Sequence, residues 1–237
     1  GAAGHGAAGH GAVIVGRRAI LHASADMGEP DATQGGILAS HRAAAQRVLD
    51  EVVGELDRDL PQGDLVRLSA RLLKVHLAAE IGMSFGPAAS EGLAKGPVRI
   101  GDLYRVSQSF LTPAALELQG RQILGILRER EDAAITDARG YGIGFRPQGQ
   151  RFGRIELAGV EAGAAGADAT VNGEPLDPER WYRVGTLTHL MDREGGGYPS
   201  LDGSRKPEFV RFYLLRDLLV DSFRSGEARR LLGEEPA

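Results

Sequence analysis

The chain has 237 residues and a formal net charge of −4, and 42% of its residues are hydrophobic and 25% charged. This is the balance of an ordinary globular protein, long enough for one large domain or for one domain with an appendage. Scattered basic residues argue against a nucleic-acid surface, and the lack of cysteine excludes disulfides and thiolate catalysis. Because no apolar run reaches about 18 residues, we expect no transmembrane segment.

The chain begins with the five-residue unit Gly-Ala-Ala-Gly-His, which occurs twice in residues 1–10. Gly/Ala sequence of this kind is typical of a flexible arm. His5 and His10 are weak candidates for metal ligands, because two imidazoles without a third ligand make a weak site. We therefore predict a Gly/Ala/His-rich arm and extended segment over residues 1–36, and a metal-binding arm is the weaker alternative.

Two helices are predicted next. Apolar residues at helical spacing up to Leu56 predict a helix over 37–56, with a linker that completes the segment 37–63. The second helix is predicted over 63–82, with Asp64 as its candidate N-cap. Because this helix carries apolar stripes on two sides, we expect it to be buried between layers. His76 on this helix is interpreted as a packed or hydrogen-bonded side chain rather than a ligand.

From Pro97 onward the pattern favours strands. A short helix over 120–130 and a final helix over 206–223, with Pro207 near its start, complete the prediction. The strands are predicted at 114–118, 141–145, 154–160 and, on both sides of a turn, within 169–190. Together these elements predict an α+β or α/β layered domain over 64–226, with a tail over 227–237. Its mixed β-sheet, flanked by helices, is expected to contain Leu116, Ile155, Val171 and Val184.

Three segments carry a resemblance to a known family. They are GPVRIGDLYRV (96–106) with ALELQGRQILGIL (115–127), VNGEPLDPERWYRVGTL (171–187), and EGGGYPSLDG (194–203). In order and spacing they resemble the C-terminal domain of the bacterial 5′-nucleotidase family, across about residues 64–224. The resemblance implies an exported protein, hence a periplasmic or other exported location, and a fold in which this domain binds the nucleoside. A separate N-terminal domain of the family holds two metals.

The positions that contact the nucleotide in the family do not carry over. The resemblance places the family's substrate-facing arginine near Ser90 and its first base-stacking aromatic at Ser109. Phe110 lies one place further along, and a one-residue shift in a strand turns a side chain to the opposite face. Stacking is worth about 1–3 kcal/mol per base, and serine cannot pair with a phosphate as arginine does. We therefore expect weak nucleotide binding or none.

The glycine-rich loop departs from the family in the same way. The second stacking aromatic aligns with His189 or Leu190, and the loop aspartate is replaced by Gly196. Gly195, Gly196 and Gly197 still permit a close backbone approach, and Tyr198 follows them. The degenerate substrate site is therefore predicted from Phe110, Leu190, the three glycines and Tyr198. The alternative is a tight connection with Tyr198 packed beneath the loop.

The motifs that would supply chemistry are missing from the sequence. The full set of the family's dinuclear-metal motifs is absent from it, and so is the Gly-Lys-Ser/Thr phosphate loop. We therefore assign no catalytic residue and no cofactor, and we expect the chain not to act as an enzyme by itself. We predict an exported, non-catalytic structural or interaction subunit that works with other protein subunits. The alternative is the nucleotide-recognition part of a metallophosphoesterase whose metal-binding domain is separate or missing.

Overall fold

A computed structural model describes residues 32–108, 110–138, 153–163, 166–190, 197–209 and 213–233. These residues fall into two units, which divide between Arg47 and Val48. The predicted strand at 141–145 lies outside the described residues. Most of the architecture belongs to the second unit. The described part of the first unit is residues 32–47, which lie in one exposed helix.

The described residues form seven α-helices and ten strands. The helices are α1 Ala32–Leu49, α2 Gln62–His76, α3 Ile100–Val106, α4 Gly120–Glu129, α5 Ala133–Thr136, α6 Leu215–Arg224 and α7 Glu227–Gly233. The strands are β1 Val52–Leu56, β2 Ile81–Phe85, β3 Gly96–Arg99, β4 Pro113–Gln119, β5 Ile155–Ala158, β6 Val160–Glu161, β7 Thr170–Val171, β8 Glu174–Pro175, β9 Trp181–Leu187 and β10 Arg205–Phe209.

The centre of the second unit is a five-stranded mixed sheet in the order β10-β4-β9-β2-β5. Strands β2 and β9 are parallel, and the other neighbours in this sheet pair antiparallel. The longest register joins β4 to β9, from Pro113 opposite Leu187 to Gln119 opposite Trp181. The predicted mixed sheet with flanking helices is therefore confirmed, and so are the strand at 114–118 and the helix at 120–130.

Helix α2 packs closely on the two parallel strands because both carry glycine beneath it. Gly82 of β2 lies opposite Gly185 of β9. A Cβ atom at Gly82 would lie 1.8 Å from the carbonyl oxygen of Ala70, and one at Gly185 would lie 2.5 Å from that of Leu73. The helix backbone therefore rests almost directly on the sheet, and leucines on both sides of this contact fill the core.

Two predicted helices are wrong at their C-terminal ends. The helix predicted over 37–56 ends at Leu49, and Val52–Leu56 form β1, which pairs antiparallel with β3. The helix predicted over 63–82 ends at His76, and β2 begins at Ile81. Apolar runs of this length fit a helix or a strand equally well, and the partner strand that decides between them is distant in sequence.

The final helix and Val171 also differ from the prediction. Arg205–Phe209 form the edge strand β10, where the missing N–H of Pro207 is tolerated, and α6 begins only at Leu215. The Asp217 carboxylate accepts a hydrogen bond from the backbone N–H of Leu214 at 3.0 Å and so caps this later start. Val171 belongs to a separate three-stranded sheet, β6-β7-β8, rather than to the central one.

The contact between α2 and the sheet can be tested by Gly82→Ala. We expect the substitution to lower the free energy of unfolding by about 1–3 kcal/mol or more, because the added methyl group meets backbone that cannot turn aside. Urea unfolding followed by circular dichroism measures the change. The control is Gly63→Ala on α2, where the nearest neighbouring atom to a Cβ lies 3.8 Å away. This control should be neutral or slightly stabilising, and equal midpoints for the two variants would contradict the close approach.

Candidate functional site

The sequence-predicted site lies where β2 and β9 end. Because these strands are parallel, their carboxyl ends, Phe85 and Leu187, reach the same edge of the sheet. The amino ends of their antiparallel neighbours meet them there, since Ile155 pairs with Phe85 and Pro113 pairs with Leu187. We call this region the β2–β9 edge. Crevices at the carboxyl ends of parallel strands are common ligand sites in layered α/β folds.

Tyr198 anchors the chain beneath this edge. Its side chain is 1% exposed, and its hydroxyl accepts a hydrogen bond from the backbone N–H of Ile155 at 3.1 Å and donates one to the carbonyl of Gly153 at 2.9 Å. Burial raises the pKa of Tyr198 to about 12, so the phenol stays protonated. The ring therefore packs as part of the core and presents no open face to a ligand.

The residues after Tyr198 are fixed in the same way. Pro199–Leu201 form a single turn of 3₁₀ helix that packs against α4. The Glu129 carboxylate at the end of α4 accepts hydrogen bonds from the Ser200 hydroxyl at 2.6 Å and from the Ser200 backbone N–H at 3.1 Å. Gly197 has a φ of 68°, in the left-handed region that favours glycine. Gly195 and Gly196 lie outside the described residues.

Leu190 is also a core residue. It ends a 3₁₀ turn, Thr188–Leu190, that follows β9, and its side chain is fully buried. The turn is held to the start of β4 by a hydrogen bond from the backbone N–H of Thr188 to the carbonyl of Thr112, at 2.9 Å. An aliphatic side chain enclosed in this way contributes packing and offers no surface for a base.

Phe110 is the one predicted site residue, among those the structure describes, with a broadly exposed aromatic side chain. It is 46% exposed, and the Arg216 guanidinium lies 4.9 Å from the centre of its ring. The same guanidinium lies 4.8 Å from the ring centre of Tyr104, which is 39% exposed. The backbone N–H of Leu215 donates to the carbonyl of Leu111 at 2.8 Å, which places the start of α6 beside the β2–β9 edge.

Sequence reasoning missed the contribution of Tyr104 and Arg216. They come from α3 and from the first turn of α6, more than a hundred residues apart. Each residue alone is ordinary for a helix surface, and no spacing in the chain links them to Phe110. Ser109, the aligned position of the family's first aromatic, lies outside the described residues.

Ser90 lines a cavity at the same edge but is turned to the backbone. Its hydroxyl donates to the carbonyl of Val106 at 3.1 Å, so it faces protein rather than a ligand. The cavity has a volume of about 420 Å³ and also receives Arg154 and Glu156, which approach to 3.5 Å. Arg154 pairs with Glu131 as well, and this hydrogen bond lowers the pKa of the Glu131 carboxyl. The cavity's arginine is therefore already neutralised by carboxylates.

The described part of the chain offers neither a metal cluster nor a membrane-spanning helix. The described residues contain no cluster of three or more histidine, aspartate or glutamate side chains able to hold a metal ion. None of their helices combines the length and apolarity needed to cross a bilayer. His5 and His10, the weak metal candidates, lie outside the described residues.

Comparison with known proteins gives one family match. The family model described as 5′-nucleotidase, C-terminal domain, matches residues 53–203. Among curated proteins, the chain is 28% identical over 189 residues to the uncharacterized metallophosphoesterase YunD of Bacillus subtilis, covering 74% of this chain and 40% of that protein. It is 26% identical over 180 residues to the endonuclease YhcR of the same organism, covering 72% of this chain and 14% of that protein.

A solved structure shows the same fold. The 5′-nucleotidase precursor from Thermus thermophilus superposes with a TM-score of 0.61 at 19% identity, covering 79% of this chain and 39% of that one. The chain thus spans less than half the length of each of these relatives. At this identity the structural likeness establishes the arrangement of helices and strands, which agrees with the family match.

The anchoring role of Tyr198 can be tested by Tyr198→Phe. At pH 7 we expect the free energy of unfolding to fall by about 1–3 kcal/mol, because Ile155 N–H and Gly153 C=O lose their partner. Because its pKa is raised in the fold, the protonated Tyr198 phenol stabilises the folded state fully at pH values below its unfolded pKa of about 10. This stabilisation is lost as the pH rises through about 12. The difference between wild type and variant should therefore narrow across that interval.

Chemical denaturation at several pH values between 7 and 12 measures this difference. Tyr104→Phe is the matched control, because Tyr104 is 39% exposed. It should change stability by less than about 0.5 kcal/mol. A Tyr198→Phe variant as stable as this control at pH 7 would show that the buried hydroxyl does not hold the edge together.

Proposed function

Because the chain belongs to the family of the 5′-nucleotidase C-terminal domain, we propose that it is a non-catalytic domain with a structural or interaction role. In this proposal it works beside other protein subunits in an envelope assembly, and the exported location that the resemblance implies supports that setting. Nucleic acid is not its partner. The described residues support this role because they supply core packing at the β2–β9 edge where the family would recognise a nucleotide.

The observation that carries this proposal is the hydrogen bond that the Ser90 hydroxyl donates to the backbone. At the position that the resemblance gives to an arginine, the chain has a hydroxyl that donates to the Val106 carbonyl at 3.1 Å. Leu190 and Tyr198 are fully packed at the same edge, with exposures of 0% and 1%. At these three positions a nucleotide would therefore find no cationic donor and no exposed aromatic face. These contacts stabilise the fold without requiring a ligand.

A second function, recognition of a nucleotide for a metallophosphoesterase, is favoured by one specific observation. Phe110 and Tyr104 remain exposed beside the edge, and the Arg216 guanidinium lies 4.9 and 4.8 Å from their ring centres. Aromatic faces and a guanidinium are groups on which a base can stack. One relative is named a metallophosphoesterase and is longer than this chain, which supports a metal-binding domain elsewhere.

We expect the purified chain to hydrolyse no nucleotide, sugar nucleotide or phosphodiester. The physical reason is that water activation in this chemistry needs a held metal pair, and the sequence lacks the motifs that supply it. Phosphate release from AMP, UDP-glucose and bis(p-nitrophenyl) phosphate, each with added manganese or zinc, is the measurement. Release that a chelator abolishes and that a mock purification lacks would overturn the non-catalytic assignment.

We expect AMP and adenosine to bind no tighter than about 1 mM, which corresponds to about 4 kcal/mol. Isothermal titration calorimetry measures both ligands. A micromolar dissociation constant that Phe110→Ala weakens at least tenfold would replace the first function by the second. Phe209→Ala is the matched control, because Phe209 is a similarly exposed phenylalanine, at 57%, on the edge strand β10. Weakening by both variants alike would remove Phe110 from the ligand site.

A further inference from the structure

A cavity of about 330 Å³ lies along the C-terminal half of α2, whereas residues of the N-terminal half of α2 line the Ser90 cavity. It is enclosed by the C-terminal half of α2, by the turn from β5 to β6, and by α7, and its lining includes Arg71, Lys74, Glu161 and Leu231. From β5, only Leu157 and Ala158 line this cavity, whereas Tyr198 bonds to Ile155 at the start of that strand and to Gly153 before it. The cavity is therefore separate from the β2–β9 edge.

Two cations line this cavity, and their hydrogen-bond acceptors are neutral. Arg71 and Lys74 stand one turn apart on α2, and both are half-buried. Within the described residues, Arg71 donates to the carbonyl of Leu231 at 2.5 Å and Lys74 to the side-chain oxygen of Asn172 at 2.5 Å, and no carboxylate forms an ion pair with either. Like charges at this spacing repel each other, and neutral acceptors relieve that repulsion only in part.

The ammonium group of Lys74 is held in place from two sides. Asn172, in the left-handed region at a φ of 53°, donates from its side-chain nitrogen to the carbonyl of Glu80 at 3.1 Å, which turns its oxygen toward Lys74. Gly159, at a φ of 83°, brings its backbone so close that a Cβ atom there would lie 2.7 Å from the ammonium nitrogen. An ammonium has three donors, so donors remain beyond the one that Asn172 engages.

We propose that this cavity binds a small phosphate group, either inorganic phosphate or the phosphate of a small monoester. A tetrahedral oxyanion offers oxygens in several directions, so the guanidinium fork and the ammonium can each bind a different one, whereas a planar carboxylate suits the fork alone. The apolar wall of Val75, Leu157 and Leu231 accommodates a short organic group, and the volume suits a small ligand. Glu161, the lining carboxylate, limits the affinity by repulsion.

Calorimetric titration of the whole chain with inorganic phosphate, methyl phosphate and acetate at constant ionic strength tests the site. Saturable binding of a phosphate and weaker binding of acetate are expected. Arg71→Gln and Lys74→Gln should each weaken phosphate binding about tenfold or more, because each removes a charged hydrogen-bond donor. Tighter binding of methyl phosphate identifies a monoester as the ligand, and tighter binding of inorganic phosphate identifies the free ion.

Two further variants keep the result interpretable. Arg67→Gln removes the same charge from the same helix, but Arg67 pairs with Asp64 outside the cavity lining, so phosphate binding should change less than about twofold. Glu161→Gln should tighten phosphate binding, by about twofold to tenfold, since it removes the repelling carboxylate. The Glu161→Gln variant still tests phosphate binding if Arg71→Gln unfolds the chain through loss of its hydrogen bond to Leu231 of α7.

Four results would overturn the site. They are the absence of saturable phosphate binding, acetate binding as tight as that of phosphate, a loss on Arg67→Gln equal to that on Lys74→Gln, and an unchanged dissociation constant in Glu161→Gln. None of these measurements involves the β2–β9 edge or the adenosine titrations. A failure here therefore leaves the proposed function standing, and the reverse also holds.

Discussion

The near-contact between α2 and the glycine pair Gly82–Gly185 is the constraint on which the second unit depends. Side chains on both strands at that point would hold the helix backbone away from the sheet, since a Cβ at Gly82 would lie 1.8 Å from the Ala70 carbonyl. The close approach lets leucines on either side of the contact pack into one core. It also fixes where the two ends of α2 lie, one beside the Ser90 cavity and the other beside the Arg71 and Lys74 cavity.

Tyr198 gives the segment after the glycines a structural role that does not depend on a ligand. Its hydroxyl satisfies two backbone groups at the start of β5, and Glu129 holds the following Ser200. Buried polar groups left without partners are costly, so these bonds are a sufficient physical reason for a tyrosine to follow the glycines. Retention of the sequence therefore does not by itself require a bound nucleotide. A loop of this kind can keep its anchor while the side chains that read a ligand are replaced.

Much of the fold was predictable where the signal is local or carried by the family motifs. The helix at 120–130 and the strands around Leu116 and Val184 follow from periodicity, and they are confirmed. The errors at 52–56 and 205–209 share a cause, because strand partners distant in sequence decide those segments. Val171 is a different case, because it pairs with the nearby Glu174 and Val160 in a small separate sheet. In the site, the sequence indicated both Tyr198 and Phe110. Only the structure shows that Tyr198 is buried and that Phe110 is exposed. Arg216 had no signal, since only tertiary structure brings α6 beside Phe110.

The two cavities differ in the charge of the groups that bind their cationic side chains. At the β2–β9 edge Arg154 pairs with Glu131 and Glu156, so an incoming anion would have to displace carboxylates from it. At the other end of α2, Arg71 and Lys74 bond to a backbone carbonyl and to an amide oxygen, which carry no net charge to displace. The free energy of binding an anion is the difference between its new contacts and those it replaces. By that comparison the proposed oxyanion site beside Arg71 and Lys74 is favoured over Arg154, although the resemblance puts the family's ligand at the β2–β9 edge.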